Sequence, residues 1–89
     1  MEKFILDGLE MIDKSRAHEH IAQVLSLPEY YGRNLDALWD CLGEMPAGTS
    51  IILVNKESLY MALGDYGKRL VNTFVQAAME NESLSFEVE

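Results

Sequence analysis

The stretch Ser50-Ile51-Ile52-Leu53-Val54 decides the fold. Three of its four consecutive aliphatic residues are β-branched, which suits an extended backbone better than a helix. It is the longest aliphatic run in the chain, a strand's length and far short of a bilayer's width. Ser50–Val54 therefore reads as a buried strand. On its N-terminal side, Gly43 and Pro46 end a helix over about Leu35–Gly43 that Asn34 can cap. Before that comes an irregular loop, Leu27-Pro-Glu-Tyr-Tyr-Gly-Arg33, whose Pro28 breaks a preceding helix. That helix is expected over Ser15–Leu25, with Ser15 as its cap and Ala17, Ile21, Val24 and Leu25 on one face. Phe4–Leu6 reads as a short strand closed by the turn pair Asp7-Gly8.

On the C-terminal side, Ser58–Leu63 reads as a short helix stopped near Gly64. Lys68–Asn81 is the longest helix, with Leu70, Val71, Phe74, Ala77 and Ala78 on one side. Ser83–Val88 is a last strand, alternating Leu84, Phe86 and Val88 against Ser85 and Glu87. The order is β-α-α-β-α-α-β. Strands joined by helical crossovers pair in parallel, and such crossovers are right-handed. Strands lying in sequence order put both crossovers on the same face. The expected fold is a two-layer α/β sandwich, a three-stranded parallel sheet with helices packed mainly on one face.

At 89 residues, with 48% hydrophobic and 25% charged side chains, residues 1–89 read as one globular domain with a modest core. Fifteen acids against seven bases give a net charge of −8, which argues against nucleic acid or an anionic membrane and for a basic partner. The single cysteine, Cys41, cannot form an internal disulfide. With no signal-like or membrane-spanning segment in the chain, the expected location is the cytoplasm.

On a helical wheel with Asn34 at zero, Leu38, Leu42 and Leu35 fall at about 40°, 80° and 100°, a core stripe. Asp36, Asp40 and Glu44 fall at about 200°, 240° and 280°, an acidic ridge at i, i+4 and i+8, with Trp39 on the seam near 140°. Like charges at this spacing cost a helix roughly 0.2–0.5 kcal/mol per pair, and such uncompensated violations tend to mark function. Tyr30 and Tyr31 stand on the loop just before the ridge, and Gly32 and Asn34 frame it. Aromatics beside charges suit a binding surface, while core filling accounts equally for Tyr31 or Trp39, and either can do both. Enzyme templates fit poorly. Asp36 and Asp40 are neighbours on one helix and do not face each other across a substrate. The sequence carries no phosphate-cradling glycine loop and no nucleophile elbow. His18 and His20 lie about 200° apart and cannot share a metal, and Cys41 reads as a structural thiol. No cofactor or metal is expected.

The run Leu27-Pro-Glu-Tyr-Tyr-Gly-Arg-Asn-Leu-Asp-Ala-Leu-Trp-Asp-Cys-Leu42 closely resembles the signature of the barstar family, small cytoplasmic inhibitors of secreted guanyl-specific ribonucleases of the barnase type. The rest of the chain matches through its length, its element order and the Thr73-Phe-Val-Gln-Ala77 helix. The resemblance implies three parallel strands with helices, and blocking rather than catalysis. Its implied partner is a basic secreted ribonuclease, bound one to one through Tyr30, Gly32, Asn34, Leu35, Asp36, Trp39 and Asp40. Asp40 resembles the family aspartate that stands where a substrate phosphate would bind, Tyr30 the tyrosine over the enzyme's catalytic histidine, and Asp36 a second acid facing basic groups. Two positions depart from the family pattern. Gln76 stands where relatives carry an acid, and Gly43-Glu44-Met45 stands where the best-known member carries an aromatic. The extra acid Glu44 can replace the charge absent at Gln76. Two other readings share the sequence: an immunity protein against a different nuclease toxin, and a small hydrolase using Asp36 or Asp40.

Overall fold

The computed structural model describes residues 2–89. Its elements are β1 (Glu2–Asp7), a single 3₁₀ turn (Gly8–Glu10), α1 (Lys14–Leu25), α2 (Leu35–Gly43), β2 (Thr49–Val54), α3 (Lys56–Leu63), α4 (Asp65–Glu80) and β3 (Leu84–Val88). The three strands form one parallel sheet in the order β1-β2-β3, with Phe4 opposite Ile51 and Ile51 opposite Phe86. The aliphatic β2 is thus the central strand. Leu6, Ile51, Leu53 and Leu84 are buried, while Lys3, Ile5, Ser85 and Glu87, which alternate with them, are exposed. Only one sheet face is fully covered, as expected of two crossovers on one side. Ile21, Leu38, Leu42, Leu59, Leu70 and Phe74 supply the helical half of the same core. Phe74 of α4 stacks on Phe86 of β3 with ring centroids 5.0 Å apart.

The structure corrects several element starts. Ser15 does not cap α1. Asp13 does, its carboxylate accepting from the Arg16 N–H at 2.7 Å. A carboxylate also meets the positive end of the helix dipole, so it outcompetes a serine two residues on. Helix α3 starts at Lys56, because Asn55 adopts a left-handed φ of 57° and its carbonyl accepts from the Ser58 N–H at 3.1 Å. Asparagine tolerates that conformation. Helix α4 starts at Asp65, three residues before the sequence suggests. Its Gly67 is not a breaker: a Cβ there would lie 3.3 Å from the Leu59 carbonyl oxygen, so the glycine lets α3 and α4 approach. The Asp7-Gly8 pair leads into the 3₁₀ turn, with the Asp7 carboxylate accepting from the Leu9 N–H at 2.9 Å and the Asn55 amide at 2.8 Å. Those donors, with Asn55 first, hold the Asp7 carboxyl below its ordinary range.

Candidate functional site

The loop 27–34 is shaped by local bonds. The Tyr31 N–H donates to the Pro28 carbonyl at 3.0 Å. Arg33 takes a left-handed φ of 55° and turns the chain into α2. Asn34 caps α2 as its sequence position predicts: its side-chain oxygen accepts from the Ala37 N–H at 2.8 Å, and its amide donates to the Gly32 carbonyl at 3.2 Å. Gly32 is needed for that closeness, since a Cβ would lie 3.2 Å from the Asn34 amide nitrogen and 3.3 Å from the Ala37 Cβ.

The loop separates its two tyrosines. Tyr30 is 87% exposed, and Tyr31 only 6%. Tyr31 thus lies beneath the surface, its hydroxyl bonded to His18. Of the two uses open to it from sequence, the core one is the one its position serves. In α2, Leu38 and Leu42 are buried, Leu35 packs half-buried against the core, and Asp36, Asp40 and Glu44 are exposed on the outer side. Glu44 lies one residue past the helix body, its N–H donating to the Cys41 carbonyl at 3.2 Å. Trp39 is 37% exposed, on the seam. Cys41 is half-buried, and burial first, then the carboxylates of Glu44 and Asp40, push its thiol pKa up. A protonated thiol is a poor nucleophile.

Helix α4 packs against α2, and a shallow groove of about 200 Å³ runs between them, lined by Trp39, Gly43, Ala77, Glu80 and Asn81. The Asn81 amide donates to the Leu42 carbonyl at 3.1 Å, tying the two C-terminal ends together. Gln76 is exposed one turn before Glu80, so α4 brings its polar edge alongside the acidic helix. Tyr30, Gly32, Asn34, Asp36, Trp39, Asp40, Glu44 and Gln76 are all exposed, on two adjacent helices and one loop. Neither Asp36 nor Asp40 lines the groove beside Trp39. Among the described residues, no group of three or more His, Cys, Asp or Glu side chains is placed to hold a metal ion. None of the described helices is long and apolar enough to cross a membrane.

His18 also bonds to the Tyr66 hydroxyl. From sequence, His18 is excluded from sharing a metal with His20, and neither His18 nor Tyr66 is assigned a role. A signal existed for the histidine. With Ala17 at zero, Ile21 and Leu25 fall near 40° and 80°, and His18 near 100°, beside the apolar stripe. For Tyr66 there was none, because its role depends on how α4 meets α1.

A family model described as Barstar (barnase inhibitor) matches residues 1–89. A protein of Bacillus subtilis (strain 168), named "Putative ribonuclease inhibitor YrdF", is 37% identical over 81 residues, which is 90% of this chain and 89% of the relative. With the parallel three-stranded sheet and a match over its whole length, this chain belongs to the barstar family, a family of inhibitors and not of enzymes.

Proposed function

We propose that this chain is an intracellular inhibitor of a barnase-type ribonuclease, acting one to one as a single domain of residues 1–89. It blocks the enzyme's active site with α2 and the loop before it. The observation that carries the reading is the acidic edge of α2, with Asp36, Asp40 and Glu44 exposed beside the outward rings of Tyr30 and Trp39. A ribonuclease active site is built to bind phosphate. A carboxylate at Asp40 accepts charge-assisted hydrogen bonds from the arginines and lysines there. Asp36 faces neighbouring basic groups, and Tyr30 covers the catalytic histidine. Family membership and the name of the Bacillus relative support the inhibitor role. The test is titration of the chain into barnase while RNA cleavage is followed. Loss of cleavage reaching completion at one equivalent is expected, and undiminished cleavage at a large excess rejects the barnase-type target.

The neutral Gln76 on α4 favours a second target class, a different nuclease toxin whose basic groups cluster opposite α2 alone. Tight inhibition of such a nuclease, with none of barnase, would select it.

A further inference from the structure

Behind the acidic face, His18 of α1 sits between two phenols. It is 1% exposed. Its Nδ1 lies 2.5 Å from the Tyr31 hydroxyl and its Nε2 lies 2.6 Å from the Tyr66 hydroxyl. Three separate parts of the chain meet on this one ring: α1, the loop 27–34 and the second residue of α4. We propose that the Tyr31–His18–Tyr66 chain is the positioning device of the recognition loop, fixing Tyr31 inside so that Tyr30 stands outward and in place before any partner arrives. Its consequence for binding rests on the inhibitor reading above.

The loop's other bonds hold its ends and its turns. The Leu27 N–H donates to the Ala22 carbonyl of α1 at 2.9 Å and Asn34 caps α2, while Tyr31 N–H to Pro28 and the Asn34 amide to Gly32 are turns within the loop. None of these bonds ties the middle of the loop, at Tyr31, to the core. The imidazole sets its place. A neutral ring has one N–H donor and one bare nitrogen acceptor, and a phenol can serve either. One tyrosine therefore accepts while the other donates, so both ring nitrogens are paired within the protein. Among the described residues, no buried side-chain polar atom lacks a partner.

Tyr66 is held in turn. The Lys14 ammonium lies 4.6 Å and the Arg69 guanidinium 5.5 Å from its ring centroid, a cation from α1 and one from α4. Arg33 of the loop also acts on the His18 ring. Burial and the Arg33 guanidinium both disfavour a charged ring, so the arrangement works with a neutral imidazole. A protonated ring would need both phenols as acceptors, and would turn the donating phenol's proton away into a closed site. Ordering the loop in advance removes a cost that binding would otherwise carry.

The test uses Tyr66→Phe, which removes one hydroxyl far from Asp36 and Asp40 in sequence and leaves the ring. In the free protein, hydrogen exchange at the Tyr31 amide should quicken at least tenfold, while Ile51 and Leu53 in β2 keep their protection. Unchanged protection at Tyr31, or equal loss throughout the sheet, overturns the proposal. In binding to barnase, Tyr66→Phe should weaken affinity about fivefold in the parent but less than twofold in a Tyr30→Ala background. The same change should cost its full fivefold in an Asp40→Ala background. Equal losses in all three backgrounds would mean general destabilisation and not positioning of Tyr30. If the parent does not bind barnase, the inhibitor reading fails for that target, while the exchange measurement still decides the role of the histidine.

Discussion

Asp40 is the residue on which the inhibitor reading turns. It projects from the outer side of α2, where a partner can surround it. Asp40→Ala would leave the enzyme's phosphate-binding groups buried and unpaired, which generally costs about 2–5 kcal/mol or more. The barnase–barstar pair is itself an illustration of that effect, so the figure is one for buried charge pairs at large. Calorimetric titration should show Asp40→Ala as the most damaging single change within residues 30–44; binding within twofold of the parent would reject phosphate mimicry. His18 carries a prediction about pH. Burial, and then Arg33, hold its pKa below 6.5 in the folded chain. The unfolded chain therefore takes up a proton that the native chain refuses, and stability falls as pH drops below about 6.5. Above that pH both states are neutral at this residue and it contributes no slope. One proton sets a ceiling of about 1.4 kcal/mol per pH unit. Denaturant melts at a series of pH values should show a shallower decline from pH 6.5 to 5 for His18→Gln than for the parent. Parallel curves would mean that the imidazole is not the group responsible.

At the scale of the element, α2 trades its own stability for an acidic edge. Asp36 and Asp40 repel across one turn. The Asn34 cap offsets part of that locally, and tertiary contacts offset the rest: Leu38 and Leu42 in the core and the Asn81 amide on the Leu42 carbonyl. Helix α4 contributes the neighbouring polar edge with Gln76 and Glu80. Gln76→Glu should strengthen binding to barnase by about 0.2–1 kcal/mol, the usual worth of a rim charge pair. The melting temperature should fall by no more than about 1–4 °C, because residue 76 is exposed and away from the Leu70–Phe74–Ala77 face, and only repulsion from Glu80 one turn on opposes the change. Affinity and melting measured together decide this. Unchanged or weaker binding with melting inside that range would mean that α4 docks differently here than in its relatives.

At the scale of the whole molecule, charge matters more than contact. The chain carries a net −8, and residues 29–44 hold Glu29, Asp36, Asp40 and Glu44 against Arg33 alone. A basic partner meets an attractive field before it touches anything, so association should be fast and salt-dependent. Stopped-flow rates should fall at least tenfold between low and high ionic strength, with dissociation little changed. Glu44→Gln should act mainly on the association rate. An association rate indifferent to salt would sink the steering argument.

The sequence alone determined the β-α-α-β-α-α-β succession, the aliphatic character of one strand, the Asn34 cap and the acidic edge of α2. These are properties of periodicity and local chemistry, which a single segment carries by itself. It also separated Leu38 and Leu42 from Asp36 and Asp40 by helical spacing, and the burial of each agrees. Only the tertiary structure decided which way the two tyrosines face. Adjacent residues on an irregular loop have no period, so Tyr30 and Tyr31 are distinguished by what lies behind them, a histidine thirteen residues back and a tyrosine much further on. The starts of α3 and α4 were settled in the same way. The left-handed Asn55 and the close packing at Gly67 depend on backbone brought near by the fold, which no local pattern encodes.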